Sequence, residues 1–514
     1  MTPPPAHTPE PFPSPAARHL AAGAAATLAL WFAGMLLLWE VGVESIYGHP
    51  TPFYALFAPT LPGKAGATGI ALCLALGTWA LRRSAAAGML ADPSAPAPAH
   101  SARFLTGVVV FLALFACAVA AVRGLHGIAQ AYQREAYEVI GDIGKAPSIR
   151  AFFGRYLSIH PYLSMHGKVH PPGPAALLWT LSYVVTNSAA TLSLATVAVA
   201  SLAVFPLYGW VRELFGPRSA AVAVLLYAVT PGVVLFTATS ADALFTPFTL
   251  AALWLFQRSL RGGRPAPAAA AGVAFACASL LKFSLLGIGA WFALCGLALL
   301  LRRDRWAAVF RTAAVMFAAF LAVHVAVRLW SGFDYVAAFL AAKAQFDTDQ
   351  HHLDQLDPRY PGWTFRLLFN PATWFYFAGI PVSLLFLGAC ARPGRAAREP
   401  GGEGALFPPR TVLVLLVLGA LALNFLYLAR GEGERSALYL SLPDRARRAR
   451  PDLPVQAREA DRALRARRRH RHPRPSLRAE AGRGVGPERR GGEPRGRQRR
   501  HRLGIGRALG PGRP

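Results

Sequence analysis

Between Leu125 and Trp179 the chain reads LHGIAQAYQREAYEVIGDIGKAPSIRAFFGRYLSIHPYLSMHGKVHPPGPAALLW, a polar stretch rich in aromatics and cations between two apolar runs. Asp142 is the first residue there with the chemistry of a catalyst. A carboxylate at a membrane surface is a general base for an acceptor hydroxyl or amine. Gly141 and Gly144 flank it and permit a sharp turn. The competing reading makes Asp142 a cap for the helix that PSIRAFFGRYL predicts. Glu135 and Glu138, three apart, fit the solvated face of an amphipathic helix. Next come His166, Lys168 and His170, with Pro171 and Pro172 behind them and Arg155 upstream. Prolines at a helix start lose no hydrogen bond, so they need no function. Two histidines and a lysine beside them suit a phosphate or an acceptor. A metal at His166 and His170 is the weaker alternative.

Two further candidates lie downstream. Asp242, in TATSADALFTPFTL, falls between two apolar runs, where an acid costs roughly 2.5–3.5 kcal/mol on insertion scales. Lys282 interrupts FACASLLKFSLLGIGAWF, and the chain has only five lysines. It fits a partner for Asp242, a contact for a lipid phosphate, or a snorkelling side chain at a break between spans. A later segment from Gly332 to Trp374 carries Lys343, Asp347, Asp349, His351, Arg359 and Tyr360. Its acids and histidine suit either a hard cation or a solvated loop.

The elements that must carry these residues are membrane helices. Of 514 residues, 54% are hydrophobic and 16% charged, against about 25% charged in ordinary soluble domains. Apolar runs near twenty residues recur, as at Leu20–Val41, Phe104–Ala121, Leu192–Trp210, Trp306–Val327 and Thr411–Leu428. Lipid offers backbone groups no partner, so such runs form helices. The fold class expected is all-α, a polytopic transmembrane helical bundle of about 10–11 spans. A large outer-face loop with short amphipathic helices would sit on it. Arginines mark cytoplasmic loops at Arg82–Ala102, Arg258–Arg264, Arg302–Arg305 and Arg392–Arg398. That count places Arg123–His170 and Trp330–Trp363 outside. Pro171–Thr186 is too short for a comfortable span, so it either dips into the membrane or displaces a later crossing.

Composition divides the chain further. Residues 1–19 are Pro-rich and expected to be disordered. Residues 20–103 hold two extra spans and a Pro/Ala linker, and 104–440 the core. Residues 441–514 form an Arg-rich low-complexity tail. Pro443–Pro514 contains 23 arginines, no lysine and 7 acids, so +16 of the net +28 falls there. Such a tail could bind nucleic acid or anionic lipid, remain a solvated coil, or be out-of-frame translation of a GC-rich gene. Its lack of lysine and aromatics favours the last, so no nucleic-acid partner is expected. All five cysteines lie in apolar runs without CxxC spacing, which indicates neither disulfides nor a cysteine metal site.

His170-Pro171-Pro172 opening a helix, Asp242-Ala243-Leu244-Phe245 before a span, and Lys282 beyond it together resemble the GT-C superfamily of integral-membrane glycosyltransferases. The nearest likeness is family 39, the protein mannosyltransferase and aminoarabinose transferase group, over roughly residues 104–440. Asp142 differs from that family's usual Asp-Glu pair, which follows its first core helix directly. The resemblance implies a hexosyl- or pentosyltransferase of the cytoplasmic (inner) membrane. It would move sugar from a polyprenyl-phosphate donor to a lipid, glycan or protein acceptor on the outer face. Displacement would be single and inverting, with Asp142 as catalytic base. His166, Lys168, His170, Asp242, Lys282, Arg155 and Tyr360 would bind substrate and donor. The resemblance makes no cofactor certain, and a divalent cation is compatible with it. The alternatives are a multi-span transporter or flippase, and an inactive truncated or frame-shifted product. Transporters tend to show inverted repeats and broken midplane helices; no internal repeat is visible here.

Overall fold

The apolar runs form helices whose ends follow simple local rules. In the computed structural model these are α1 (Lys64–Arg83), α2 (Ser101–Ala120), α3 (Ile149–Gly154), α4 (Tyr156–Ile159), α5 (Met165–Val169), α6 (Gly173–Ser182), α7 (Ala189–Ser201), α8 (Val204–Phe215), α9 (Pro217–Val229), α10 (Pro231–Thr239), α11 (Thr246–Gly262), α12 (Pro265–Leu281), α13 (Ile288–Leu300), α14 (Trp306–Ser331) and α15 (Tyr335–Leu356). The structure describes residues 63–83, 101–130, 132–301, 305–356 and separate positions between 367 and 419. Among the described residues there is no strand. The first apolar run, the Pro/Ala linker, Tyr360 and the Arg-rich tail lie outside them.

Prolines start α9, α10 and α12, where a missing N–H costs nothing. Ser148, Ser164 and Ser188 cap α3, α5 and α7, each accepting from a backbone N–H three residues on. Gly263 ends α11 in the left-handed region, at φ +58°, and lets α12 return antiparallel beside α11.

Among the described residues, five helical stretches are long and apolar enough to cross a membrane: Lys64–Arg83, Ala102–Ala120, Ala189–Phe215, Phe283–Leu300 and Trp306–Ser331. Pro217–Val229 and Pro231–Ala238, bent by 58° at their break, form either a broken span or a re-entrant loop. Their outward faces carry Leu72, Trp79, Leu114, Phe310, Phe317 and Leu329, as lipid contact requires. Pro171–Thr186 holds only a short helix. α6 has 10 residues, about 15 Å at 1.5 Å per residue, and it is buried under the polar loop.

The bundle has two unlike ends. α11 carries Asp242 just before its start and Arg258 and Arg261 near its close. α12 begins after Arg264 and ends at Lys282. The antiparallel pair therefore gathers arginines at one end and brings Asp242 and Lys282 together at the other. Arg261 Nη1 donates to Glu213 Oε2 at 2.6 Å, tying the close of α8 to the basic end.

The segment 332–356 differs from the solvated loop the sequence suggested. It is mostly α15, a 22-residue helix packed on α4 and α5. Asp347 and Asp349 stand two apart on it, and residues so spaced do not face one another. Asp347 pairs with Lys343, and Asp349 accepts from Gln345. No group of three metal-ligating side chains occurs among the described residues.

Candidate active site

The polar loop 121–170 rests on an aromatic platform. Phe152, Phe153 and Tyr156 of α3 and α4 pack into a core with Trp179, Phe245, Phe283 and Phe333. Phe153 meets Trp330 and Phe333 edge-on, at 5.8 and 5.4 Å between ring centres. Such contacts seat the loop on the ends of α6, α12 and α14.

Within the loop, residues 132–142 form tight turns instead of the expected amphipathic helix. Two backbone bonds override the helical pattern: Met165 N donates to Ala136 O, and His166 N to Tyr137 O. Asp142 holds the same junction. Its carboxylate accepts from Ser164 N at 2.7 Å, Ser164 Oγ at 2.8 Å and Lys145 Nζ at 2.8 Å, and the residue is 0% exposed. A side chain on Gly167 would meet Asp142 Oδ2 at 2.0 Å, so only glycine fits there. The cap of α3 is Ser148, not Asp142.

Glu135 is exposed, as an amphipathic pattern implies, but Glu138 is not. It is 5% exposed, and its Oε2 lies 3.1 Å from His166 Nδ1. Below it, the buried Tyr132 hydroxyl pairs with Thr196 Oγ1 at 2.8 Å. Burial pushes that phenol far above its ordinary range, so it stays protonated.

His170 stands at the corner where the loop enters α6. Tyr156 fixes that corner: its buried hydroxyl bonds to Gly167 O at 3.1 Å and His170 O at 2.6 Å. His170 Nδ1 lies 2.9 Å from His166 O. A carbonyl only accepts, so Nδ1 carries the proton. His170 Nε2 then faces Asp242 Oδ1 at 3.6 Å. Burial drives His170 toward its neutral form, Lys282 and His166 add to that, and Asp242 opposes it; the net shift is downward.

Asp242 and Lys282 meet across forty residues of sequence, with Lys282 Nζ donating to Asp242 Oδ2 at 3.1 Å. The side chain of Asp242 is 46% exposed and that of Lys282 19%. Enclosure by the cleft raises the Asp242 carboxyl, but Lys282, His170 and His166 outweigh it and hold Asp242 well below the usual carboxylate range. Solvent reaches nearly half of this side chain, so the charges count for more than the enclosure. Ser240 Oγ accepts from Asp242 N at 3.1 Å and sets the turn before α11.

The structure thus brings His166, His170, Asp242 and Lys282 together and adds Glu138 behind them. Asp142 belongs to the same loop but to a separate bonded cluster. Arg155 is exposed, and its carbonyl accepts from Ser158 Oγ; the carbonyl of Lys168 accepts from His160 Nε2. Neither cation is bonded to the cluster. Tyr156 and Ser164, which shape the loop, carried no motif and went unread in the sequence.

The described helices thus carry a cluster of cations and carboxylates at one end, beneath a folded loop. Residues 169–331 match the family described as dolichyl-phosphate-mannose-protein mannosyltransferase. The match supports a membrane glycosyltransferase of the GT-C kind, and it takes in His170, Asp242 and Lys282. No curated protein and no solved structure matches the chain.

Proposed function

We propose that the protein transfers a sugar from a polyprenyl-phosphate donor to a hydroxyl or amine of a lipid, glycan or protein acceptor at the outer face of the cytoplasmic membrane. The observation that carries this reading is the Lys282–Asp242 pair at one end of the helix pair, in a bundle that also holds an apolar groove. That groove, about 660 Å³, starts near Leu286 and runs past Phe275, Phe292 and Phe320 toward Leu300 and Val309. An isoprenoid chain suits its lining, and a phosphate at its head suits Lys282.

The acceptor atom attacks the anomeric carbon as the bond from that carbon to the phosphate oxygen breaks. The electron pair leaves with the phosphate. Lys282 meets the charge, which counts for more where water is scarce. Asp242, held as an anion beside Lys282, orients the lysine and faces the sugar. His170 completes the wall beside Asp242. Asp142, with its carboxylate committed to Ser164 and Lys145, keeps the loop in shape in this reading.

The test is sugar transfer in liposomes, with labelled polyprenyl-phosphate mannose as donor and a cell-envelope extract as acceptor. Lys282→Ala is expected to raise the donor KM about tenfold or more, since a hydrogen bond to a charged group contributes roughly 1.5–3 kcal/mol. The acceptor KM stays unchanged. Asp142→Asn loses folded protein but keeps its rate per folded molecule. An unchanged donor KM in Lys282→Ala, with the Lys282→Ala/Asp242→Asn double variant milder than either single one, would instead mark a structural ion pair.

A further inference from the structure

We propose that His324 of α14 is a positioning residue for Lys282, acting through Ser279 of α12, an assignment that rests on the transferase reading above. α14 is long and apolar enough to cross a membrane, and His324 stands in its upper part, seven residues before Ser331. Its ring packs on Phe320 at 4.6 Å and on Tyr335 of α15 at 4.4 Å between ring centres. A phenylalanine would fill the same aromatic niche. An imidazole among apolar neighbours is costly unless it is hydrogen-bonded, so the bond it makes is what distinguishes it from a phenylalanine.

That bond is to Ser279, which is 0% exposed. Its Oγ lies 3.1 Å from His324 Nε2. Ser279 gives its one hydroxyl proton to Ala276 O at 2.8 Å, so the same oxygen accepts from Nε2–H. Tyr335 Oη donates to Ser279 O at 3.2 Å. α14 and α15 therefore hold both oxygens of one residue of α12.

Ser279 stands one turn before Lys282. The last four carbonyls of a helix lack partners within it, and bonds from outside are what keep the final turn closed. Ser279 O falls among those four, and Tyr335 supplies its bond. Lys282 is already past the helix, with extended backbone at φ −153° and ψ 125°. Its ammonium rides on a flexible four-carbon stem, so it is placed only as well as the backbone beneath it. α6 bounds the same turn at another point, where a side chain on Gly173 would meet Leu280 O at 2.1 Å. The turn that presents Lys282 to Asp242 is thus fixed from α6, α14 and α15. His324 touches neither sugar nor phosphate in this reading and acts on the site from about one turn deeper in the bundle.

The experiment uses the full chain in liposomes, the same labelled donor and the same extract. His324→Phe keeps the aromatic packing and loses the N–H. It is expected to raise the donor KM about three- to tenfold, the effect of one neutral hydrogen bond, with the acceptor KM unchanged. His324→Gln, which keeps an N–H near the position of Nε2, recovers most of that loss. Ser279→Ala raises the donor KM by a similar factor, and adding His324→Phe to it changes nothing further, because both act through one bond. In detergent, amide exchange of residues 278–283, followed by mass spectrometry, quickens in His324→Phe. Folded protein is counted by thermal melting, and every constant is taken per folded molecule. A wild-type donor KM in His324→Phe overturns the assignment. So does a Gln variant no better than the Phe variant, or losses that add in the double variant. Faster exchange with an unchanged donor KM marks a bond that serves the fold alone and overturns it too. If wild type transfers no sugar, the transferase reading itself falls, which is a different result from transfer that is indifferent to His324.

Discussion

Asp142 and Asp242 are both acids at the rim of the bundle, yet their surroundings are opposite. Asp142 is sealed in by two Ser164 donors and Lys145, the pattern of a carboxylate that fixes a fold. Asp242 stands half open beside one cation. The histidines divide in the same way: His170 is buried and pushed toward neutrality, while His166 faces a carboxylate. This has a consequence for pH. The folded pKa of His170 lies below its unfolded value, so between the two the unfolded chain binds more protons. Its contribution to stability is complete above about pH 6.5 and is lost as pH falls through the folded value. Melting temperature is expected to drop on acidification from pH 7 to 5, and His170→Gln should remove part of that slope. A variant whose slope matches wild type would mean that His170 is already charged in the fold.

At the scale of elements, the site depends on how closely α6 approaches α12. A side chain on Gly173 would lie 2.1 Å from Leu280 O, a distance no Cβ tolerates against backbone. Gly173 thus lets the start of α6 press on the last turn of α12, two residues before Lys282, and so sets the spacing between His170 and the Asp242–Lys282 pair. Gly173→Ala is expected to leave helical content intact, lower the melting temperature and cut sugar transfer more than tenfold, read by circular dichroism and the liposome assay. Wild-type transfer would show that the helices separate without cost to the site. Much of this layer was legible in the sequence. Apolar runs gave the membrane helices, and the His-Pro-Pro corner gave the entry into α6. Asp242 and Lys282, each out of place in an apolar context, marked the two walls of the cleft. The turns at 132–142 were not legible, because bonds to residues 164–167 decide their shape and no local pattern reports those bonds. Glu138 was misread for the same reason: its burial comes from His166, twenty-eight residues away. α15 was read as a loop because its polar face, rich in Asp and His, hides a helix that packs on α4 and α5.

At the scale of the whole molecule, the two ends of the bundle differ in charge and in structure. One gathers Arg212, Arg258, Arg261 and Arg264, with Glu213 bound to Arg261. The other carries the folded loop, α15 and the cleft. Loops rich in arginine remain on the cytoplasmic side, so the proposed function, with its site facing outward, expects the basic end inside. The separation of basic and acidic ends was visible in the arginine pattern, but the route through residues 171–215 was not readable, because α6 is apolar enough for a span and only its length excludes one. The orientation is testable in a background without the five native cysteines. Tyr162 and Val336 are exposed on the cleft end, and Ser219 on the basic end. Tyr162→Cys and Val336→Cys should both react with a membrane-impermeant maleimide added to intact cells, and Ser219→Cys only after permeabilisation. Joint labelling of Tyr162→Cys and Val336→Cys tests whether the loop and α15 share one side, independently of which side it is. Labelling of Ser219→Cys alone in intact cells would invert the protein and place the cleft toward the cytoplasm, where the donor lipid would have to present its sugar on the inner leaflet.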